Sequence, residues 1–470
     1  MKQELIIRNP KDVSDFVDEH PGVRSSFLIV MIALGGVFVD AYDFTSLGIG
    51  VPALKMTFGL TPFEVGSVTA MMAFGAFVGA IWGGKATDKV GRYKMFLVDL
   101  VLLVAAALGA ALSINLTMLL VFRFLMGLGV GLDFPVALSF IAEFVNKKRR
   151  GAGVNLWQLM WYVAASCTGL VILPFYFAGF GDDLWRVAVG FGAVPALIIL
   201  GLRFIYMKES APWAAQNLGL NEAAKILEST YEIKTRVIQE PTRSVPKPEH
   251  QAKTGEIFKP QFLKRTLLIS VICATQSMEY FAIGFNLPSI SQTLFGKEFV
   301  NAIIGAIAFN IFGIVGAVLG VMVTKKMGSR RMAITGYSLV LVALFAMFMF
   351  HKTLSPQYIA LLIGLMILGH SFGPGAQGMT MAALSYPTRI RGAGTGWGQG
   401  MVRVGSIIGF YFFPLLIAAT GFYNMLGILM LAPALGLIAA LTIKWEPVGA
   451  SMDGADDQEP VAAAMAGALE

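Results

Sequence analysis

Twelve apolar runs divide this chain, and they leave few folds open to it. They cover approximately residues 27–48, 64–84, 94–113, 117–141, 154–177, 185–206, 266–290, 300–324, 331–350, 357–378, 393–418 and 422–443. A run of roughly 20 apolar residues crosses the hydrocarbon core of a bilayer. Inside lipid the backbone must satisfy its own hydrogen bonds, so runs of this length become helices. The chain is 56% hydrophobic and 14% charged, with a mean hydropathy of +0.69. No soluble domain could hide that much apolar surface, and the bilayer must be its solvent. The expectation is an all-α membrane protein with twelve spans, its bilayer the only extended partner.

Charge sets the orientation. Of 36 Lys and Arg, only Lys55, Lys297 and Lys352 fall in the loops after odd-numbered spans. Arg123, Arg186 and Arg403 lie in or at the edges of spans, and the others fall at the two ends and in the loops after even-numbered spans. The positive-inside rule puts both termini in the cytoplasm. The net charge of +7 is that bias and predicts no nucleic-acid partner. Cys167 and Cys273 both sit in spans, so no disulfide framework is expected. The first 26 residues lack the apolar core of a signal peptide, making the first span a retained insertion signal. Five segments follow: a cytoplasmic lead-in 1–26, six spans in 27–206, a polar central loop 207–264, six spans in 265–445 and a tail 446–470. The Pro- and charge-rich stretch from Pro241 to Pro260 reads as mobile, and the tail as disordered.

One turn organises the motifs. Gly84-Lys-Ala-Thr-Asp88-Lys-Val-Gly91-Arg92-Tyr-Lys94 packs four cations and one acid into a tight connection between spans two and three. Gly79-x-x-x-x-Gly84-Lys85 is no P-loop, because Ala86 stands where a hydroxyl must hold magnesium. Arg150-Gly-Ala-Gly153 after span four recurs as Arg391-Gly-Ala-Gly394 after span ten, and the opening turn recurs weakly as Lys326-Met-Gly328-Ser-Arg330-Arg331. The two halves are therefore a duplicated six-helix unit. Lys325 and Leu384 replace Asp88 and Glu143 in the second copy.

The turn, with Arg123-x-x-x-Gly127-x-x-x-Gly131 in span four, resembles the major facilitator superfamily. Lys208-Glu-Ser210-x-Pro-Trp213 and Ser385-Tyr-Pro-Thr-Arg389-x-Arg391-Gly are similar to the branch of sugar porters, organic-ion transporters and metabolite–proton symporters. The resemblance implies two pseudo-symmetric six-helix bundles, transport by alternating access, no enzymatic activity and no cofactor or metal. It also implies a cytoplasmic gate at Asp88, Arg92 and Glu143, with Asp88 meeting the amino end of helix 11.

Charges inside the spans are the chemical candidates, since each costs roughly 2.5–3.5 kcal/mol at a helix centre. Asp40 and Asp43 stand one turn apart in span one. Two carboxylates that close in a low dielectric resist being ionised together, which suits a proton carrier. With Asp133-Phe-Pro135 in span four they look like the phosphate–proton symporters, and aromatic-acid symporters also carry an acid pair in span one. The competing reading is one acid permanently paired with Arg123. Arg403, near the middle of span eleven, matches a substrate-binding position of organic-anion carriers; its guanidinium fork fits a carboxylate or phosphate. Its alternative is a fixed pair with Glu279. Gln158, Tyr280 and Asn286 are candidate walls, Trp157, Trp161 and Phe285 candidate aromatic lining, and His370 a packing residue.

These residues predict a proton-coupled symporter of a small organic anion, acting as a monomer in a bacterial inner membrane. A phosphate–proton symporter, an uncoupled facilitator of a neutral solute such as a sugar, and a non-transporting sensor are the rivals.

Overall fold

The computed structural model describes residues 4–20, 24–238 and 254–450, and nearly all of them are helical. Among the described residues twelve helices are long and apolar enough to cross a membrane. The first six are Phe27–Phe58, Phe63–Val90, Arg92–Ala111, Leu116–Phe144, Arg150–Phe177 and Gly181–Tyr206. The second six are Pro260–Phe295, Phe299–Met327, Ser329–Phe350, Pro356–Leu384, Thr388–Ile417 and Phe422–Thr442.

Local chemistry sets their ends. Span two starts on a capping box, with Thr61 and Glu64 exchanging hydrogen bonds and Pro62 at the first helical position. It stops at Gly91, whose φ of +105° suits glycine, and Gly328 repeats that stop after span eight with φ of +76°. Four spans are interrupted where the sequence shows continuous apolar runs: span six around Phe191–Gly192, span seven at Gly284–Asn286, span twelve at Met430 and span ten at Gly373. Pro374 follows the last break and cannot continue the hydrogen-bond ladder.

Helices in lipid gain little from apolar burial against one another and associate by close packing. Small residues therefore mark the crossings. The Gly127 and Gly131 of span four lie against backbone atoms at Met72, Ala76 and Ala80 of span two. Between the halves, Gly84 of span two meets Gly392 and Gly396 of span eleven, and Asn155 of span five donates to Thr324 of span eight at 2.5 Å.

The lead-in and central loop fold where the sequence suggests polar connectors. Strand Glu4–Ile7 pairs in parallel with Lys234–Val237. Helix Pro10–Glu19 buries Val13 and Val17 among Ala214, Ala223, Leu227 and Tyr231 of the two central helices. An Asp18–Arg150 ion pair ties this cap to the start of span five. Residues 239–253, most of the stretch expected to be mobile, and 451–470 of the tail lie outside the described residues. The tail's first residues are engaged: Glu446 accepts from the N–H groups of Ser329 at 3.0 Å and Arg330 at 2.9 Å.

One charge is placed differently from the sequence reading. Arg203, grouped there with the basic loop after span six, is fully buried inside that span.

Candidate functional site

At the Gly91 side the halves are bolted together. Arg92 grips Glu143 with two nitrogens, Nη2 to Oε1 at 2.8 Å and Nε to Oε2 at 3.1 Å. Arg391, from the start of span eleven, reaches the same Oε1 at 3.1 Å. Asp88 accepts from the N–H groups of Gly392 at 3.0 Å and Ala393 at 2.9 Å, the free donors of that helix's first turn. The expected gate residues Asp88, Arg92 and Glu143 thus come together, and Arg391, which the sequence showed only within a repeat and a family motif, completes them. Behind them Glu209 accepts from the N–H groups of Arg92 at 2.9 Å and Tyr93 at 3.2 Å. Burial pushes the Glu209 carboxyl above the usual carboxylate range despite these bonds. The Gly91 side is closed.

Above the bolt lies a central cavity of about 30 Å³, room for a water molecule or two. Trp157, Gln158, Trp161, Tyr280, His370 and Arg403 are among its walls, drawn from both halves. The cavity is too small for any solute much larger than water. A cleft of about 340 Å³ extends away from the Gly91 side past Phe285, Asn286 and Gln292 to Lys55. Asn286 and Phe285 belong to this cleft and not to the central cavity, and the Asn286 amide donates back to Ala282 at 3.0 Å. The expected wall at Asn286 is displaced because span seven breaks at that residue.

Arg403 is 1% exposed and stacks over Phe44 of span one, 4.7 Å from the ring centroid. Its Nε and Nη1 have no hydrogen-bond partner, and among the described residues no carboxylate forms a salt bridge with it. The expected Arg403–Glu279 pair is absent. Glu279 instead takes His370, Nδ1 to Oε1 at 2.9 Å.

Asp40 and Asp43 are buried, and none of their carboxylate oxygens has a protein hydrogen-bond partner. Arg123 faces Asp43 but donates to its backbone oxygen, at 3.4 Å, not to its carboxylate. Asp133 is placed otherwise: it is ion-paired with Arg203 at 2.7 Å, and Arg203 also reaches Asp99 at 3.2 Å. Arg203 and Asp99 are the functional candidates that sequence reasoning missed. Asp99 was visible as a lone acid within the third run. Four buried acids, Asp40, Asp43, Asp99 and Asp133, face three buried arginines, Arg123, Arg203 and Arg403. An uncompensated charge is expensive in this medium, so the set is neutral only with a proton bound. Among the described residues no group of His, Cys, Asp or Glu is arranged to hold a metal ion.

The family model described as Major Facilitator Superfamily matches residues 33–376. The inner membrane metabolite transport protein YgcS of Escherichia coli is 27% identical over 436 residues, covering 92% of this chain and 93% of its own. The 4-hydroxybenzoate transporter PcaK of Acinetobacter baylyi is 24% identical over 444 residues, covering 93% and 95%. The structure of the proton:xylose symporter XylE bound to 6-bromo-6-deoxy-D-glucose superposes with a TM-score of 0.75 at 19% identity, over 92% of this chain and 98% of that one.

Proposed function

This chain belongs to the Major Facilitator Superfamily and is a multi-pass membrane transporter of metabolites, and on that premise we propose that it carries a small organic carboxylate inward together with protons. The observation that carries this reading is Arg403, a buried guanidinium at the central cavity with no carboxylate paired to it. A bound carboxylate supplies the missing partner and accepts from the planar fork. The indole and phenol rings of Trp157, Trp161 and Tyr280 favour a flat apolar body behind that carboxylate, and they disfavour phosphate. PcaK, a relative named for an aromatic acid, supports the same class.

Asp40 and Asp43 take the proton role. Both carboxylates are buried and accept no hydrogen bond from an arginine, so each can hold either protonation state as the bundles rock. A proton entering down the membrane potential supplies about 2.3 kcal/mol per 100 mV, enough to concentrate substrate without ATP. With the basic loops facing inward, the bolt closes the cytoplasmic side and the cleft past Lys55 leads to the periplasm. The membrane is then a bacterial inner membrane, with both termini in the cytoplasm and the protein working as a monomer.

A second reading, a neutral sugar-like solute, is favoured by one observation. Gln158, Gln276 and Gln399 all line the cavity, and amides hydrogen-bond hydroxyls well. A thermal-shift screen of purified protein with benzoates, aliphatic carboxylates, phosphate and hexoses separates the readings. Stabilisation by carboxylates alone is expected; stabilisation by hexoses without carboxylates overturns the anion assignment.

A further inference from the structure

Glu279 and His370 take no part in the scheme above, yet they form a buried titratable pair at the same cavity. Glu279 belongs to helix Pro260–Ile283 of span seven, and His370 to the last turn of helix Pro356–Phe372 in span ten. They meet at 2.9 Å between Nδ1 and Oε1, and neither is more than 2% exposed. Glu279 Oε2 has no partner, and among the described residues no Lys or Arg forms a salt bridge with this acid. The other titratable or charged groups facing the pair are the phenols of Tyr162, Tyr280 and Tyr337 and, across the cavity, Arg403. None of them neutralises a bare carboxylate except Arg403, which is not in contact with it.

We propose that Glu279 and His370 together bind a second transported proton, in the half of the protein opposite Asp40 and Asp43. With one proton the pair is neutral overall, either as acid beside imidazole or as carboxylate beside imidazolium. Without it the pair carries a net negative charge deep in the bilayer, which is costly. The imidazolium form suits the carbonyl end of helix Pro356–Phe372, where cations are favoured. His370 is also a cavity wall, so the proton exchanges with water whenever the cavity opens.

Its geometry links the proton to both substrate and bundle motion. A bound anion at Arg403 removes the like-charge repulsion that Arg403 exerts on an imidazolium across the cavity, so proton and anion favour each other's binding. Tyr280 stacks on His370, with centroids 5.0 Å apart and planes at 18°, and its hydroxyl accepts from Trp161 of the other half at 2.9 Å. The charge on His370 is therefore read at a contact that must change when the halves separate. The transport role rests on the proton-coupled reading proposed above; the proton site itself does not.

The test counts protons taken up by purified, substrate-free protein on acidification from about pH 8 to pH 5. Glu279→Gln is expected to lose one proton per molecule relative to wild type, because an imidazolium with no carboxylate beside it is a bare buried charge. The double Gln variant, whose amides keep a hydrogen bond in place and which decides the matter where a single variant fails to fold, is expected to lose the same one. An unchanged count in the double variant, or a loss of two, overturns a shared site. No substrate enters this count, so its failure is distinct from failure of the carboxylate screen.

Discussion

Arg203 and Asp133 are joined at 2.7 Å with neither side chain reaching solvent. The pair anchors span six to span four. Gly36 of span one lies directly over both groups, and a side chain there would strike them.

Breaking a buried ion pair by removing one member leaves an uncompensated charge and costs on the order of 3–5 kcal/mol. Arg203→Gln should therefore depress the thermal unfolding temperature in detergent far more than Lys225→Gln, which removes an exposed pair with Glu222. Equal, small effects would mean that Asp133 and Asp99 are protonated and need no cation.

The bolt at the Gly91 side predicts a change in accessibility. Ser139 and Thr395 touch across the halves at 3.0 Å one turn to its cavity side. In a Cys167→Ser, Cys273→Ser background, a cysteine replacing Ser139 should label slowly with a membrane-impermeant thiol reagent applied to the cytoplasmic side. Hydrogen bonds to a charged group are worth roughly 1.5–3 kcal/mol each, so Asp88→Asn should raise the labelling rate about tenfold or more. An unchanged rate would reduce Asp88 to a helix-packing residue.

Much of this arrangement is legible in the sequence, for identifiable reasons. Spans follow from hydropathy, Asp88 and Arg92 from the motif turn between spans two and three, and Glu143 from the family resemblance that this turn supports. The rest needed the third dimension. Arg203 lies at the end of an apolar run beside a basic loop, and only the helix continuing to Tyr206 puts its guanidinium against Asp133. The breaks at Gly284–Asn286 and Gly373 fall in uninterrupted apolar sequence, so neither the diversion of Asn286 to the outer cleft nor the approach of His370 to Glu279 could be read from periodicity. Arg403 was visible as a lone cation, but its stacking on Phe44 depends on spans one and eleven meeting.

Proton coupling through span one gives a transport prediction. Asp43→Asn should abolish accumulation driven by a pH gradient in proteoliposomes, because the neutral amide cannot release a proton, while exchange of labelled for unlabelled substrate persists. Asp40→Asn should do the same. Full gradient-driven uptake in both variants and in the double variant would move the coupling elsewhere in the protein.

The central claim is that Arg403 is the charge partner of a carboxylate substrate. The direct measurement is titration calorimetry with the carboxylate giving the largest thermal shift, and with its amide analogue, in wild type, Arg403→Lys and Arg403→Gln. Losing a buried charge partner costs about 2–5 kcal/mol, roughly 30-fold or more in Kd. The account predicts that loss for the carboxylate in Arg403→Gln, a partial loss in Arg403→Lys, whose ammonium lacks the planar fork, and weak, equal binding of the amide throughout. Wild-type affinity for the carboxylate in Arg403→Gln would contradict it.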